Sequence, residues 1–403
     1  MTIALEHATR ARAAKVDPNP LDLAQLRGPR GQALLQAVSD AAALADHTGN
    51  LIDVHDRMVA DGLFHILVPR HFGGAGGTVV DWFDAAVDVA FADPAASWIM
   101  AQGAVQNAWI AVAGSPQFAT EFFQRRQTIA TSSAGKATAE RTGDHYVVRD
   151  ARWAYVSGSP GAAYLGGMVR TTADDGAPET RIVLVPAADA AIMPSWDTLG
   201  LRGTASHHID LGEEIMVPAR RTFTWPSLTI TRPGPLANVA AHTLWLISLS
   251  AAAVNLGAAG RAITEATTSA EHKMHRFDTI PVIQQSPFIR GIAELHGQVE
   301  LAIAGLRGLL DQLWDRAVAG HRPTNEQRAR LRLAAAAAIR TGADVVREAQ
   351  LLTGADALHR SHPLERLGRD TQMLLNHVVT NPSTREQLAT VLLGSYQGPA
   401  AFV

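Results

Sequence analysis

Near the end of the chain, the stretch HPLERLGRDTQMLLNH (362–377) spaces Arg366, Asp370, Met373 and His377 at intervals of 4, 3 and 4. That is helical spacing, and it sets these side chains beside an apolar stripe of Leu364, Leu367, Thr371, Leu374, Leu375 and Val378. An imidazole titrates near neutral pH and can accept a proton or donate a hydrogen bond. The stripe can therefore line a pocket with His377, or it can be one face of a partly buried helix held by an Arg366–Asp370 pair. Spacing alone leaves both open. Other patterns carry less chemistry. SHH (206–208) puts adjacent histidines on opposite faces of a strand with no further metal-ligand spacing, so no metal is expected. HFGGAGG lacks the lysine of a phosphate loop and reads as a chain reversal. No G-x-G-x-x-G follows a strand, and GSP (158–160) is not a G-x-S-x-G elbow.

The elements that position these residues change period twice. Residues 30–126 show apolar spacing of 3 and 4, with a break at Asp93-Pro94. Residues 127–230 are short β-rich runs separated by turn residues. Residues 231–403 return to long amphipathic helices, among them 236–273, 282–318, 325–354 and 362–379. The expected fold is α+β and mainly α: an N-terminal helical domain, a middle antiparallel β domain and a C-terminal helical bundle, preceded by a mobile arm over residues 1–29. With 403 residues and a net charge of −3, the chain is long enough for a sizeable core and shows no basic run that would suit nucleic acid. It has no cysteine, which excludes disulfides and thiolate chemistry. The Ala/Leu runs are interrupted by charge short of the ~18 residues a membrane span needs, so no span is expected.

Four segments, in this order, carry a resemblance: LVPRHFGG in the first helical region, RWAYVSGSPGA and LGLRGTASHHIDLGEEIMVPARR in the β region, and HKMHRFDTIPVIQQSPFIRGIAELHGQVELA opening the bundle. Together they resemble the acyl-CoA dehydrogenase fold family over about residues 30–395. True dehydrogenases of that family use a carboxylate to remove a proton alpha to a thioester, commonly a glutamate before an E-G-T turn. Here the tail reads LLGSYQGPAAFV, and Thr371 to Arg385 contains no carboxylate. The segment HPLERLGRDTQMLLNH instead resembles the P-L-x-R-x-x-R-D…H pattern of the two-component flavin monooxygenases that share the fold.

The resemblance implies reduced FMN or FAD supplied by a separate flavin reductase, O2 as co-substrate and a C4a-hydroperoxide. It implies hydroxylation of an aromatic or polyketide-like small molecule by a cytoplasmic homotetramer with no membrane partner. It places Ser157 near flavin N5, Trp153 as a flavin wall, Ser132 and Ser133 along the pocket, and Arg202, Thr204 and Arg369 as flavin neighbours. It gives His377 a role on substrate or flavin, and puts Trp98 and Asn107 against substrate. Asn107 stands in the region where aromatic hydroxylases often carry a histidine; an amide is no base, which argues against a histidine-paired phenol site. An amino-sugar N-oxygenase, a dehydrogenase with a displaced base and a non-catalytic scaffold are the alternatives.

Overall fold

The structure is a computed structural model that describes residues 23–274 and 278–403. The arm expected over 1–29 therefore lies mostly outside the described residues, as do 275–277 of the bundle-opening motif. From Leu23 onward the chain is already helical.

The first helical region runs through α1 (Leu23–Arg27), α2 (Pro29–Thr48), α3 (Ile52–Ala60), α4 (Val79–Ala92), α5 (Pro94–Ala113) and α6 (Pro116–Phe123). Local chemistry sets the starts. Thr78 caps α4 by accepting from the Asp81 N–H at 3.0 Å, while the Asp81 carboxylate accepts from the Thr78 N–H at 2.8 Å. The Asp93 carboxylate accepts from the Ala96 N–H at 2.8 Å, and Pro94 takes the first position of α5. The glycine run before α4 is a reversal as expected: Gly73 and Gly76 have φ of +80° and +61°, and a Cβ on Gly74 would collide with the Val68 carbonyl. Every residue of α5 is buried, so this helix is wrapped on all sides.

Strands follow: β1 (Ile129–Thr142), β2 (His145–Arg149), β3 (Arg152–Val156), β4 (Tyr164–Thr172), β5 (Pro178–Pro186), β6 (Ala191–Met193), β7 (His207–Asp210), β8 (Glu214–Pro218) and β9 (Thr222–Thr224). Among the described residues they form one sheet in the order β6-β7-β3-β1-β4-β5-β9, with β2 joining β1 to β8. The sheet is mixed rather than purely antiparallel. β1 and β4 run parallel, and β1 leaves that ladder between Ser132 and Ala137 to meet Trp153 of β3 through Gly135. A bulge of this kind lets one strand serve two neighbours, which alternation in the sequence does not reveal.

The chain then returns to helix with α7 (Pro235–Ala240), α8 (Leu244–His272), α9 (Ser286–Val318), α10 (Asn325–Thr353), α11 (Pro363–Leu375) and α12 (Pro382–Leu392). Contrary to the expectation from the charge pattern, α8 is long and apolar enough to cross a membrane, with a mean hydropathy of 1.4 in its most apolar window. Of that window, 83% is buried inside the protein, so the bundle core accounts for its composition.

Trp153 shows how tightly the β layer closes. Its indole is 1% exposed and donates from Nε1 to the Met168 carbonyl at 2.8 Å. A Cβ added to either Gly135 or Gly167 would stand 2.5 Å from its ring. Trp153 is thus a core residue, and neither ring face is open to form the expected flavin wall. Gly167→Ala is expected to destabilise the protein by about 1–3 kcal/mol through overpacking, measured as a lower denaturant midpoint. An unchanged midpoint would mean that the indole is not clamped.

Candidate active site

Three parts of the fold meet at Trp98. Its Nε1 donates to the Ser157 hydroxyl at 2.9 Å, and its ring lies edge-on to His377 with centroids 5.3 Å apart. One α5 indole therefore links a residue just past β3 to one just past α11. Sequence reasoning named all three, and the structure brings them together.

Ser157 belongs to a run of hydroxyls. Its Oγ lies 2.7 Å from the Ser206 Oγ, which lies 2.7 Å from the Thr204 Oγ1, which donates to the Leu201 carbonyl at 2.8 Å. The backbone bends sharply to make this run. Tyr155, Leu201 and Ala205 have φ of +62°, +50° and +43°, where side chains are disfavoured. At Tyr155 the positive φ interrupts strand alternation. Trp153 points into the core, whereas Tyr155, two residues on, is 61% exposed. Its ring sits edge-on to Trp196 and His208 at 6.1 and 6.2 Å. His207 steadies that surface, since its Nδ1 accepts from the backbone N–H groups of Ser195 and Trp196, each at 3.2 Å. Tyr155, Trp196 and Ser206 escaped the sequence reading. Y-V-S-G shows the tyrosine, but only the bend decides which way it points.

The bundle holds this bend from behind. Asp370 is buried and accepts from the Leu201 N–H at 2.6 Å. Arg369 donates to the Leu199 carbonyl at 2.9 Å, and a Cβ on Gly200 would collide with the backbone of α11. Burial pushes the Asp370 carboxyl up to about 7, reinforced by the negative charge of Asp93; the Leu201 N–H and Arg366 act in the opposite direction. The Arg366–Asp370 pair expected along the helix is absent from the ion pairs of the described residues. Arg366 instead approaches Asp93 at 3.9 Å. The helix also stops earlier than its pattern suggests, at Leu375. His377 therefore lies beyond it and caps a short turn, its Nδ1 accepting from the Val379 N–H at 3.4 Å. Burial lowers the imidazole to about 4, so the ring is neutral at ordinary pH. With Nδ1 accepting, the ring proton belongs on Nε2.

Several expected site residues do other work. Asn107 is fully buried and donates to the carbonyls of Phe64 and Gln127, both at 3.1 Å. At about 100° per residue, nine positions carry it to the opposite face of α5 from Trp98. Gln102 and Gln106, four and eight positions on, share the Trp98 side, and the sequence reading passed over them. Arg202 is committed to the Asp46 carbonyl at 2.9 Å, to Asp197 at 3.0 Å and to the Thr198 carbonyl at 3.2 Å. Arg369 grips Asp46 with two nitrogens at 3.0 and 2.7 Å and also pairs with Glu365, which raises its pKa further. Both arginines clamp α2 to the rest of the chain. Thr204 is 1% exposed and acts through Ser206, one layer behind. Ser132 accepts from the Ala134 N–H at 3.0 Å at the bulge, and Ser133 beside it is exposed. No hydrogen bond among the described residues joins either to Ser157.

The chain is similar to known proteins over most of its length. Residues 249–382 match the family model described as acyl-CoA dehydrogenase, C-terminal domain. Over 383 residues the chain is 26% identical to an indole-3-acetate monooxygenase of Pseudomonas putida, covering 92% of this chain and 95% of that protein. Among solved structures, XiaF from Streptomyces sp., determined with FADH2 and glycerol, superposes with a TM-score of 0.82 at 21% identity, covering 93% of this chain and 97% of that one. The 3-HSA hydroxylase of Rhodococcus sp. RHA1 gives the same TM-score of 0.82 at 22% identity, covering 92% and 97%. On the match in its bundle and the likeness along its length, the chain has the acyl-CoA dehydrogenase fold and is similar within it to the two-component flavin-dependent monooxygenases.

Proposed function

We propose that this protein is the oxygenase component of a two-component flavin-dependent monooxygenase, hydroxylating an aromatic or polyketide-like small molecule. The observation that carries the proposal is the junction at Trp98, where a β-layer hydroxyl and a bundle imidazole converge on one indole. The residues present fit a flavin. Ser157 has an oxygen lone pair left over beside an exposed aromatic ring, Tyr155, on a bend that presents both. When bound, reduced FMN or FAD supplies the two electrons that let O2 deliver one oxygen atom to substrate.

The chain's own residues do the rest. Ser157 would hold a bound flavin by a hydrogen bond to its central ring. Trp98 fixes Ser157 and covers it from water, limiting premature release of H2O2. His377, its ring packed edge-on to Trp98, would donate from Nε2–H to an oxygen on substrate. The aromatic surroundings Trp98, Tyr155 and Trp196 favour a flat apolar substrate over an amino sugar. A separate reductase supplies the reduced flavin, and a cytoplasmic homotetramer is the proposed assembly. The same reading puts domain limits near residues 126 and 230, where helix gives way to strand and strand to helix.

Ser157→Ala tests the flavin contact. Losing one hydrogen bond of ~1–2 kcal/mol is expected to raise H2O2 formed per flavin oxidised by roughly tenfold. A peroxidase-coupled assay reads this directly, and an unchanged H2O2 yield would remove Ser157 from the site.

A further inference from the structure

The hydroxyl run from Ser157 to Leu201 has a direction. A carbonyl oxygen carries no hydrogen, so the 2.8 Å contact between the Thr204 Oγ1 and the Leu201 carbonyl takes the Thr204 proton. The Thr204 oxygen must then accept across its 2.7 Å contact with Ser206, which takes the Ser206 proton. Ser206 in turn accepts across the next 2.7 Å contact, which takes the Ser157 proton. At the far end the Trp98 indole N–H can only donate, and it donates to Ser157 at 2.9 Å. The Leu201 carbonyl therefore sets the polarity, and the Trp98 N–H fills one of the two Ser157 lone pairs. Each hydrogen points from Trp98 toward Leu201, and Ser157 keeps a single free lone pair with no hydrogen to offer outward.

We infer that this Trp98–Ser157–Ser206–Thr204–Leu201 relay makes Ser157 an obligate hydrogen-bond acceptor, so that the site selects flavin carrying a hydrogen at N5 and rejects oxidised flavin. The inference rests on the flavin reading above. Reduced flavin has an N5–H that donates to the free lone pair. Oxidised flavin has a bare lone pair at N5, which meets another lone pair. To serve oxidised flavin, Ser157 must turn its proton outward, which leaves one oxygen–oxygen contact of the run, at 2.7 or 2.8 Å, without a hydrogen between its atoms. Reversal is resisted by the position of the carbonyl as well. Leu201 sits in a left-handed bend held through its N–H by Asp370, and its carbonyl is also gripped by the Trp196 Nε1 at 2.9 Å. It cannot swing away to relieve the clash. Ser206 and Thr204 are positioning residues here, since they act on flavin only through Ser157. This gives an oxygenase that borrows reduced flavin a way to release it after oxidation.

The test is anaerobic equilibrium binding of FMN and FAD in both redox states to the intact protein. Indole fluorescence follows reduced flavin and flavin fluorescence follows oxidised flavin. Wild type is expected to bind the reduced form at least roughly tenfold more tightly, the equivalent of one hydrogen bond. Thr204→Val deletes the acceptor for Ser206, whose proton then turns to Ser157, and the Ser157 proton turns outward. The reduced-to-oxidised preference should drop by roughly tenfold or invert, with oxidised flavin binding more tightly than to wild type. Thr204→Ser should keep the preference. Ser206→Ala frees the Ser157 hydrogen by a different deletion and should also tighten oxidised flavin, so the test survives if one variant fails to fold. A purely structural role would weaken both redox forms equally and leave their ratio unchanged; that result overturns the relay while leaving the flavin reading intact. Failure of wild type to bind either form overturns the flavin reading and the relay with it.

Discussion

His377→Ala is expected to cut turnover into product by roughly 10²-fold or more, with flavin oxidation continuing and its electrons diverted to H2O2. The expectation follows from a neutral imidazole whose Nδ1 is engaged by the Val379 N–H and whose ring packs on Trp98. A ring lowered to about 4 stays neutral across the ordinary working range. Activity should therefore show no acid limb near the usual histidine range and should begin to fall only as the pH approaches 4. His377→Gln separates donation from proton abstraction, because an amide donates a hydrogen bond but is no base. If His377 donates, Gln retains a measurable part of the coupling that Ala loses. If it removes a proton from a phenolic substrate, Gln and Ala fail alike and both recover at high pH, where the substrate ionises unaided. A variant that melts early with product per flavin intact would reduce His377 to a packing residue.

The second large effect concerns Asp370. Asp370→Ala leaves the Leu201 N–H buried without an acceptor, at a cost of about 1–3 kcal/mol in unfolding free energy. Asp370→Asn keeps an acceptor oxygen and should preserve the bend. The two variants should also differ from wild type in their response to pH. The Asp370 carboxyl is pushed from 3.8 up to about 7 in the folded protein. Below that range both folded and unfolded chains carry the proton. As pH rises through the window, the unfolded chain releases the proton while the folded protein retains it. Stability therefore falls with rising pH in wild type, and Asp370→Asn should flatten that fall. Urea melts at several pH values between these limits read it out. Parallel curves for wild type and Asn would show that the carboxyl is not held protonated.

The order helix, sheet, bundle was legible because period and breakers change along the chain, and the Asp93-Pro94 start of α5 was legible because capping is local. What stayed hidden depends on contacts across the chain. Asp370 meets a backbone N–H 169 positions away, so its spacing from Arg366 suggested a helical pair that the fold does not use. Trp153 turns into the core while Tyr155 turns out of it, because a single positive φ at Tyr155 breaks the strand alternation. Asn107 drew attention by its chemistry, yet helical phase places Gln102 and Gln106, not Asn107, on the Trp98 side. His377 was recognisable as an imidazole beside an apolar stripe. Its neutrality and its cap position depend on burial and on where α11 ends.

The most direct measurement of the account is made without any substrate. The protein is mixed with reduced flavin and O2, and O2 consumption and H2O2 release are followed together against free flavin. The account predicts that O2 disappears promptly while H2O2 appears only after a lag, which Ser157→Ala shortens. Two curves that superimpose at the rate of free flavin, with an acyl-CoA thioester able to bleach protein-bound oxidised flavin, would contradict it.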